Sequence, residues 1–283
     1  MKEESPGAMP VRNYYDVNKT LIYACRSDPR FSYCLYVPPD YDHCDTAPEL
    51  IVAMHGTGRA FHRYRDAYTP FGRWHNCLIL CPLFPADVLG DSNAHGFKHL
   101  LEGDIRYDRV LLAMVDEVSR RYGLDLKQFA LVGYSGGGQF THRFLMLHAQ
   151  RLWAASIGAP GSVTLLDPER DWWVGTRDVM ERFGQDIDLD ALRGVSVHMI
   201  VGDADLETWE ITHRPGGRYW MPEANGAGAT RPDRLQALCR SFEAAGVAVL
   251  LQTVPGASHD MPSTVDRVQD FLSGVLERRR AIG

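Results

Sequence analysis

The sequence predicts an α/β protein built on a mostly parallel sheet with helices on both faces, and three observations carry that reading. From about residue 50 onward, short continuous apolar runs alternate with amphipathic segments, the pattern of strands buried on both faces and of the crossover helices between them. With 45% hydrophobic residues in a chain of 283, there is enough apolar material for a full core. No Pro/Gly/Ser linker, charge block or internal repeat divides the chain, so residues 19–283 read as one domain behind an N-terminal extension of residues 1–18.

Two short strands come first, Leu21–Cys25 and Phe31–Val37, and Ser27-Asp28-Pro29-Arg30 between them supplies the turn of an antiparallel pair. The apolar runs Leu50–Met54, Cys77–Cys81, Phe129–Tyr134, Trp153–Ile157, Val195–Val201 and Val247–Val254 then read as the strands of the parallel part. A helix is expected over Tyr107–Tyr122, where Val110, Leu111, Met114, Val115 and Val118 form one stripe and Asp116, Glu117, Arg120 and Arg121 face water. Others are expected over Gln139–Gln150, over Asp233–Ala245, ended by Gly246, and over Thr264–Arg279. The closing Glu277-Arg278-Arg279-Arg280 puts cations at the negative end of that last helix, so the arginine run reads as a helix end and not as a binding patch. Two segments, about 161–194 and 207–230, break the alternation and carry Trp172, Trp173, Trp209 and Trp220. Excursions of that length are lids, pocket walls or surface loops.

The net charge of −6 offers no basic field for phosphates, which argues against a nucleic-acid partner. Met1-Lys2-Glu3-Glu4-Ser5-Pro6 is acidic and proline-broken, unlike a secretory signal, and no stretch has the length of a membrane span. Six cysteines without CxxC spacing or disulfide-scaffold density point to a reduced, cytoplasmic protein. Cys77 and Cys81 fall on one face of a strand as small core residues, and with only His75 close by a metal site is not expected.

The run Phe129-Ala130-Leu131-Val132-Gly133-Tyr134-Ser135-Gly136-Gly137-Gly138 drives a buried strand into a serine flanked by glycines. A serine hydroxyl is a weak nucleophile, so it must stand where a base and an oxyanion-stabilising site both reach it. A sharp strand-to-helix turn achieves this, and its close packing leaves no room for side chains at Gly133 or Gly137. In an open parallel sheet the ligand crevice lies beyond the carboxyl ends of the strands, and three further signals follow strands. Met54-His55-Gly56-Thr57-Gly58 can aim an amide N–H at a developing oxyanion, with Thr57 and Gly136 as the expected donors. His55, inside that turn, reads as structural. Val201-Gly202-Asp203-Ala204-Asp205 offers a carboxylate, and Asp205 is favoured over Asp203 because the chain has finished turning by then. Pro255-Gly256-Ala257-Ser258-His259 offers a loop imidazole as general base. His142 and His148 fall on the helix after the serine, His198 within a strand, and His43, His62, His95, His99 and His213 read as loop or surface residues. Arg59, Arg63 and Arg65 could meet a substrate carboxylate or form a solvated face.

Serine, acid and histidine thus occur in the order Ser135, Asp205, His259, and over roughly residues 20–280 the chain resembles the α/β-hydrolases. Tyr33-Cys34-Leu35-Tyr36-Val37-Pro38-Pro39-Asp40-Tyr41, the Gly133-to-Gly138 run and the lack of a large cap domain resemble the esterase D, feruloyl esterase and polyhydroxyalkanoate depolymerase group. The resemblance implies an eight-stranded, mostly parallel sheet, acyl transfer through a covalent serine intermediate, and no cofactor. Secreted members of the group carry export signals and often a polymer-binding module, neither of which is read in this sequence, so the expected substrate is a soluble small-molecule ester and not an insoluble polymer. Prolyl-oligopeptidase-like enzymes carry an aromatic residue where Gln139 stands. Amide or carbon–carbon bond hydrolysis on the same three residues, and ligand reception without turnover, are the alternatives to an esterase. Oligomeric state is not encoded legibly.

Overall fold

The computed structural model describes residues 14–282; the reading of Met1–Pro6 lies outside them. The chain enters through a 3-10 turn at Tyr14–Asp16 and two edge strands, β1 (Asn18–Lys19) and β2 (Tyr23–Ala24), both antiparallel to β3 (Ser32–Val37). Next come β4 (Glu49–Met54), α1 (Phe61–Trp74) and β5 (Cys77–Leu83), a 3-10 turn at Gly96–His99, a small hairpin of β6 (Leu101–Glu102) and β7 (Ile105–Arg106), and α2 (Tyr107–Tyr122). The second half runs β8 (Phe129–Tyr134), α3 (Gly136–His148), β9 (Leu152–Gly158), two short helices α4 (Val179–Phe183) and α5 (Leu189–Arg193), and β10 (Ser196–Gly202). It closes with α6 (Arg231–Ala244), β11 (Val249–Val254) and α7 (Val265–Ile282).

Among the described residues the main sheet has nine strands in the order β1-β3-β5-β4-β8-β9-β10-β11, with β2 also paired to β3. From β5 to β11 every neighbouring pair is parallel, and β3 lies antiparallel to β5. The count exceeds the expected eight because the first strand is split: Leu21 and Ile22 are exposed and unpaired to the ladder, while Asn18–Lys19 and Tyr23–Ala24 each take a short piece of β3. Thr20 bridges the gap, its N–H donating to the Leu35 carbonyl and its hydroxyl accepting from the Leu35 N–H.

The chain steps from β4 to β5 in one direction across the sheet and then back past β4 to β8, β9, β10 and β11. Right-handed crossovers therefore set α1 on one face and α2, α3 and α6 on the other. α7 returns to pack on α1. The reversal makes a topological switch point between the neighbouring strands β4 and β8, and the loops after them open there.

α1 went unread in the sequence. Pro70 lies inside it and removes one backbone donor, yet Phe61, Tyr64, Tyr68 and Phe71 form a buried helical stripe, each ring stabilising the packing by roughly 2 kcal/mol. Cys77 and Cys81 are buried in β5, and all six cysteines are free thiols. The arginine run ends α7 as expected: Arg279 binds Glu49 at 2.8 Å and Gln128 at 3.0 Å, and Arg280 caps the His75 carbonyl at 2.7 Å. Among the described residues no helix is long and apolar enough to cross a membrane.

Candidate active site

β8 delivers Ser135 at φ 58° and ψ −117°, a backbone conformation that L-residues rarely adopt. Two bonds hold it there: the Ser135 N–H donates to the Gly158 carbonyl at 2.8 Å, and the Ser135 carbonyl accepts from the Gln139 N–H at 3.0 Å, starting α3. A Cβ on Gly133 would collide with the Gly137 carbonyl, and one on Gly137 would stand 2.5 Å from the Met54 carbonyl oxygen. The turn is thus tight enough that only glycine fits at either position.

The loop after β4 lies against this turn. Thr57 N sits 3.0 Å from where a Cβ on Gly136 would be, so the Thr57 and Gly136 backbones stand side by side next to Ser135. His55 fixes the loop from within. Its Nε2 accepts the Phe84 N–H at 3.0 Å, which puts the ring proton on Nδ1, where it donates to the Gly56 carbonyl at 2.8 Å. Burial holds its pKa down at about 4, so it is neutral and structural, as its position in the turn predicted. Arg59 clasps the same loop, donating to the carbonyls of Thr57 (2.5 Å), Phe84 (3.1 Å) and Ala94 (2.6 Å).

Beyond β10, Asp205 is buried with both oxygens engaged. Oδ2 is 2.6 Å from His259 Nδ1, and Oδ1 accepts from Arg231 at 2.9 Å. Arg231 also donates to Glu210 at 2.8 Å. Asp203 accepts instead from the Gly256 N–H at 2.7 Å, tying the loop after β11 to the loop after β10. The His259 ring leans on Tyr134, with centroids 5.1 Å apart. Ser135, Thr57 and His259 open onto one cleft of about 620 Å³, whose walls include Lys98, Gln139 and Trp209.

The structure thus brings together Ser135, Thr57, Gly136, Asp205 and His259, the five positions that the sequence nominated. Arg59, Arg63 and Arg65 do not reach a ligand position: Arg59 is committed to three carbonyls, Arg63 is exposed on α1, and Arg65 pairs with Asp66 at 2.9 Å. Of the histidines read as loop or surface residues, His95 and His213 do lie in loops, and only His99, in the 3-10 turn, departs from that reading. His99 is buried and stacks on Tyr219 at 4.1 Å, His213 is half-buried against Trp173 at 4.6 Å, and His95 lines the cleft. Trp172 and Trp173 pin their excursion, donating to the carbonyls of His99 and Tyr219 at 3.1 Å each, while Trp209 walls the cleft and Trp220 a neighbouring hollow. Arg231 was missed, although Thr230 and Asp233 form a capping box that marks the start of α6 two residues earlier than expected. Among the described residues no group of three or more His, Cys, Asp or Glu side chains is gathered around a possible metal position.

No family model and no curated protein matches the chain. Solved structures do. Poly(aspartic acid) hydrolase-1 from Sphingomonas sp. KT-1 superposes with a TM-score of 0.68 at 21% identity, over 85% of this chain and 92% of that one. A poly(3-hydroxybutyrate) depolymerase from Bordetella parapertussis gives 0.68 at 22% identity, over 88% and 87%. An S-formylglutathione hydrolase from Agrobacterium tumefaciens gives 0.51 at 16% identity, over 88% and 90%. At these identities the likeness is one of fold, and the fold they share is the α/β-hydrolase fold.

Proposed function

We propose that this chain, which has the α/β-hydrolase fold, is a serine hydrolase that cleaves a carboxylic ester of a soluble small molecule through an acyl-enzyme. The observation that carries this reading is the convergence on one cleft of a strained serine, an imidazole bonded to a buried carboxylate, and the paired backbones of Thr57 and Gly136.

The His259–Asp205 bond through Nδ1 leaves Nε2 as the ring nitrogen available to the cleft. In the proposed reaction Nε2 takes the Ser135 proton as the hydroxyl attacks the ester carbonyl, and Asp205 stabilises the imidazolium that forms. The N–H groups of Thr57 and Gly136 receive the oxyanion. His259 then returns the proton to the departing alcohol, and water, activated by the same imidazole, releases the acid. Nothing in these steps calls for a cofactor or metal. Six free thiols are consistent with a reducing cytoplasm as the place of action.

Hydrolysis of p-nitrophenyl esters from acetate to decanoate, run beside Ser135→Ala, tests the proposal. Turnover that the substitution abolishes supports it, and the optimum chain length measures the acyl site. A folded protein that hydrolyses none of these esters sinks the esterase reading. Matched anilides separate an amidase from an esterase, because a nitrogen leaving group depends far more on proton donation by His259.

A further inference from the structure

A second hollow, of about 330 Å³, opens off the cleft on the side away from His259. The two share a wall made of His95, Lys98, Gln139, Gly161, Glu210 and Ile211, but neither Ser135 nor His259 reaches the second. Lys98 stands at the junction. It is buried, and its Cε lies 3.0 Å from the position a Cβ on Gly136 would take, the same separation as Thr57 N.

The charge around this junction is one-sided. Among the described residues no carboxylate lies within ion-pair distance of Lys98, whose ammonium donates to His95 Nδ1 at 2.6 Å. Arg143, fully buried behind it, bonds only neutral groups: the carbonyls of Lys98 (2.6 Å) and Gln139 and the hydroxyls of Thr164 and Ser162. Arg59 likewise holds only carbonyls. Of the nearby acids, Glu210 is paired to Arg231 at 2.8 Å, and Glu102 accepts from Tyr107 and Asn93. Buried cations without counter-charge are costly unless an anion arrives to compensate them. His95 adds a donor, because an Nδ1 that accepts from Lys98 leaves the proton on Nε2.

We propose that Lys98 and His95 bind a carboxylate on the acyl part of the substrate, seated in the second hollow, so that the preferred substrates are hemiesters of dicarboxylic acids. The acyl side follows from proton transfer: the leaving group must lie beside His259, which sends the acyl chain toward the opposite arm. This inference rests on the hydrolase reading of Ser135. Lys98 also fits it electrostatically, since burial, with Arg59 and Arg143 adding to it, pushes its pKa down to about 7, and a bound carboxylate relieves that penalty.

The test compares mono-p-nitrophenyl adipate with its neutral isostere p-nitrophenyl 6-methylheptanoate in the wild type, Lys98→Met and Lys98→Arg. The readout is the ratio of the two kcat/KM values, from which any loss common to both esters cancels. The wild type is expected to favour the adipate by about tenfold or more, Lys98→Met to bring the ratio near unity, and Lys98→Arg to restore part of it. A wild-type ratio at or below unity overturns the proposal, as does a preference that survives Lys98→Met. If the wild type hydrolyses neither ester, the reading of Ser135 has failed separately, and calorimetric titration with adipate decides the anion site: binding lost in Lys98→Met supports it, and no binding to the wild type overturns it.

Discussion

His259 Nδ1 lies 2.6 Å from Asp205 Oδ2, in a pair buried on the aspartate side and open to the cleft on the histidine side. Asp205→Asn would keep the shape but present the ring with the wrong hydrogen-bonding partner, and kcat is expected to fall by about 10³- to 10⁴-fold. Asp203→Asn should lower it by less than about tenfold, because Asp203 only ties the loop at Gly256. Steady-state kinetics of the two variants side by side checks which aspartate serves the histidine.

Arg231 occupies the other oxygen of Asp205 and is itself almost wholly buried. Arg231→Met leaves a buried carboxylate with one partner fewer and is expected to cost about 3–5 kcal/mol of stability. Urea denaturation measures it, and Arg231→Lys should recover part of the loss. A change below about 1 kcal/mol for Arg231→Met would show that water satisfies Asp205 instead.

Gly136 and Gly133 should fail differently when given a methyl group. At Gly136 the Cβ would stand 3.0 Å from Thr57 N, crowding the proposed oxyanion site, so Gly136→Ala is expected to lower kcat by about a hundredfold with a near-normal melting temperature. At Gly133 the Cβ would meet the Gly137 backbone, so Gly133→Ala is expected to lower stability by about 2 kcal/mol or more. Kinetics and thermal melts on both variants separate the two effects.

The anionic-to-neutral ester ratio should depend on pH through Lys98. Its ammonium faces Arg59, Arg143, Arg231, Glu210, His95 and His99, and with a pKa of about 7 it is charged below that value and neutral above it. The adipate carboxylate stays ionised from about pH 6 to 9. The ratio is therefore expected to rise as pH falls from 9 to 6, because any effect common to both esters cancels. A flat ratio would mean that Lys98 keeps one charge state over this range.

Acid should weaken the fold through two buried imidazoles. Burial holds His55 and His198 at about 4, below the 6.5 of an unfolded imidazole, so the unfolded chain binds more protons between these values. Their contribution is complete above pH 6.5 and is lost as pH falls toward 4, by at most about 3 kcal/mol for each. Melting temperatures from pH 7 to 4 check the slope.

The strand-turn-helix at Ser135 was legible because its parts are consecutive in sequence, and the loops carrying Asp205 and His259 were legible because each directly follows an apolar strand. α1 was not, since Pro70 and three arginines near its start mask the stripe of Phe61, Tyr64, Tyr68 and Phe71. Lys98, His95 and Arg231 reach the cleft from a 3-10 turn, the loop before it and a helix start, so no local periodicity marks them. Their roles arise from contacts across long stretches of chain, as between Arg231 and Asp205 or Arg143 and Lys98.

Covalent labelling tests the central proposal most directly. Intact-mass and peptide mass spectrometry of the protein treated with an alkyl fluorophosphonate should find a single adduct on Ser135, absent in Ser135→Ala and strongly slowed in His259→Ala, because phosphonylation needs the nucleophile, the base and the oxyanion donors together. A folded wild-type protein that stays unlabelled, or that carries the adduct on another residue, would contradict Ser135 as the activated nucleophile.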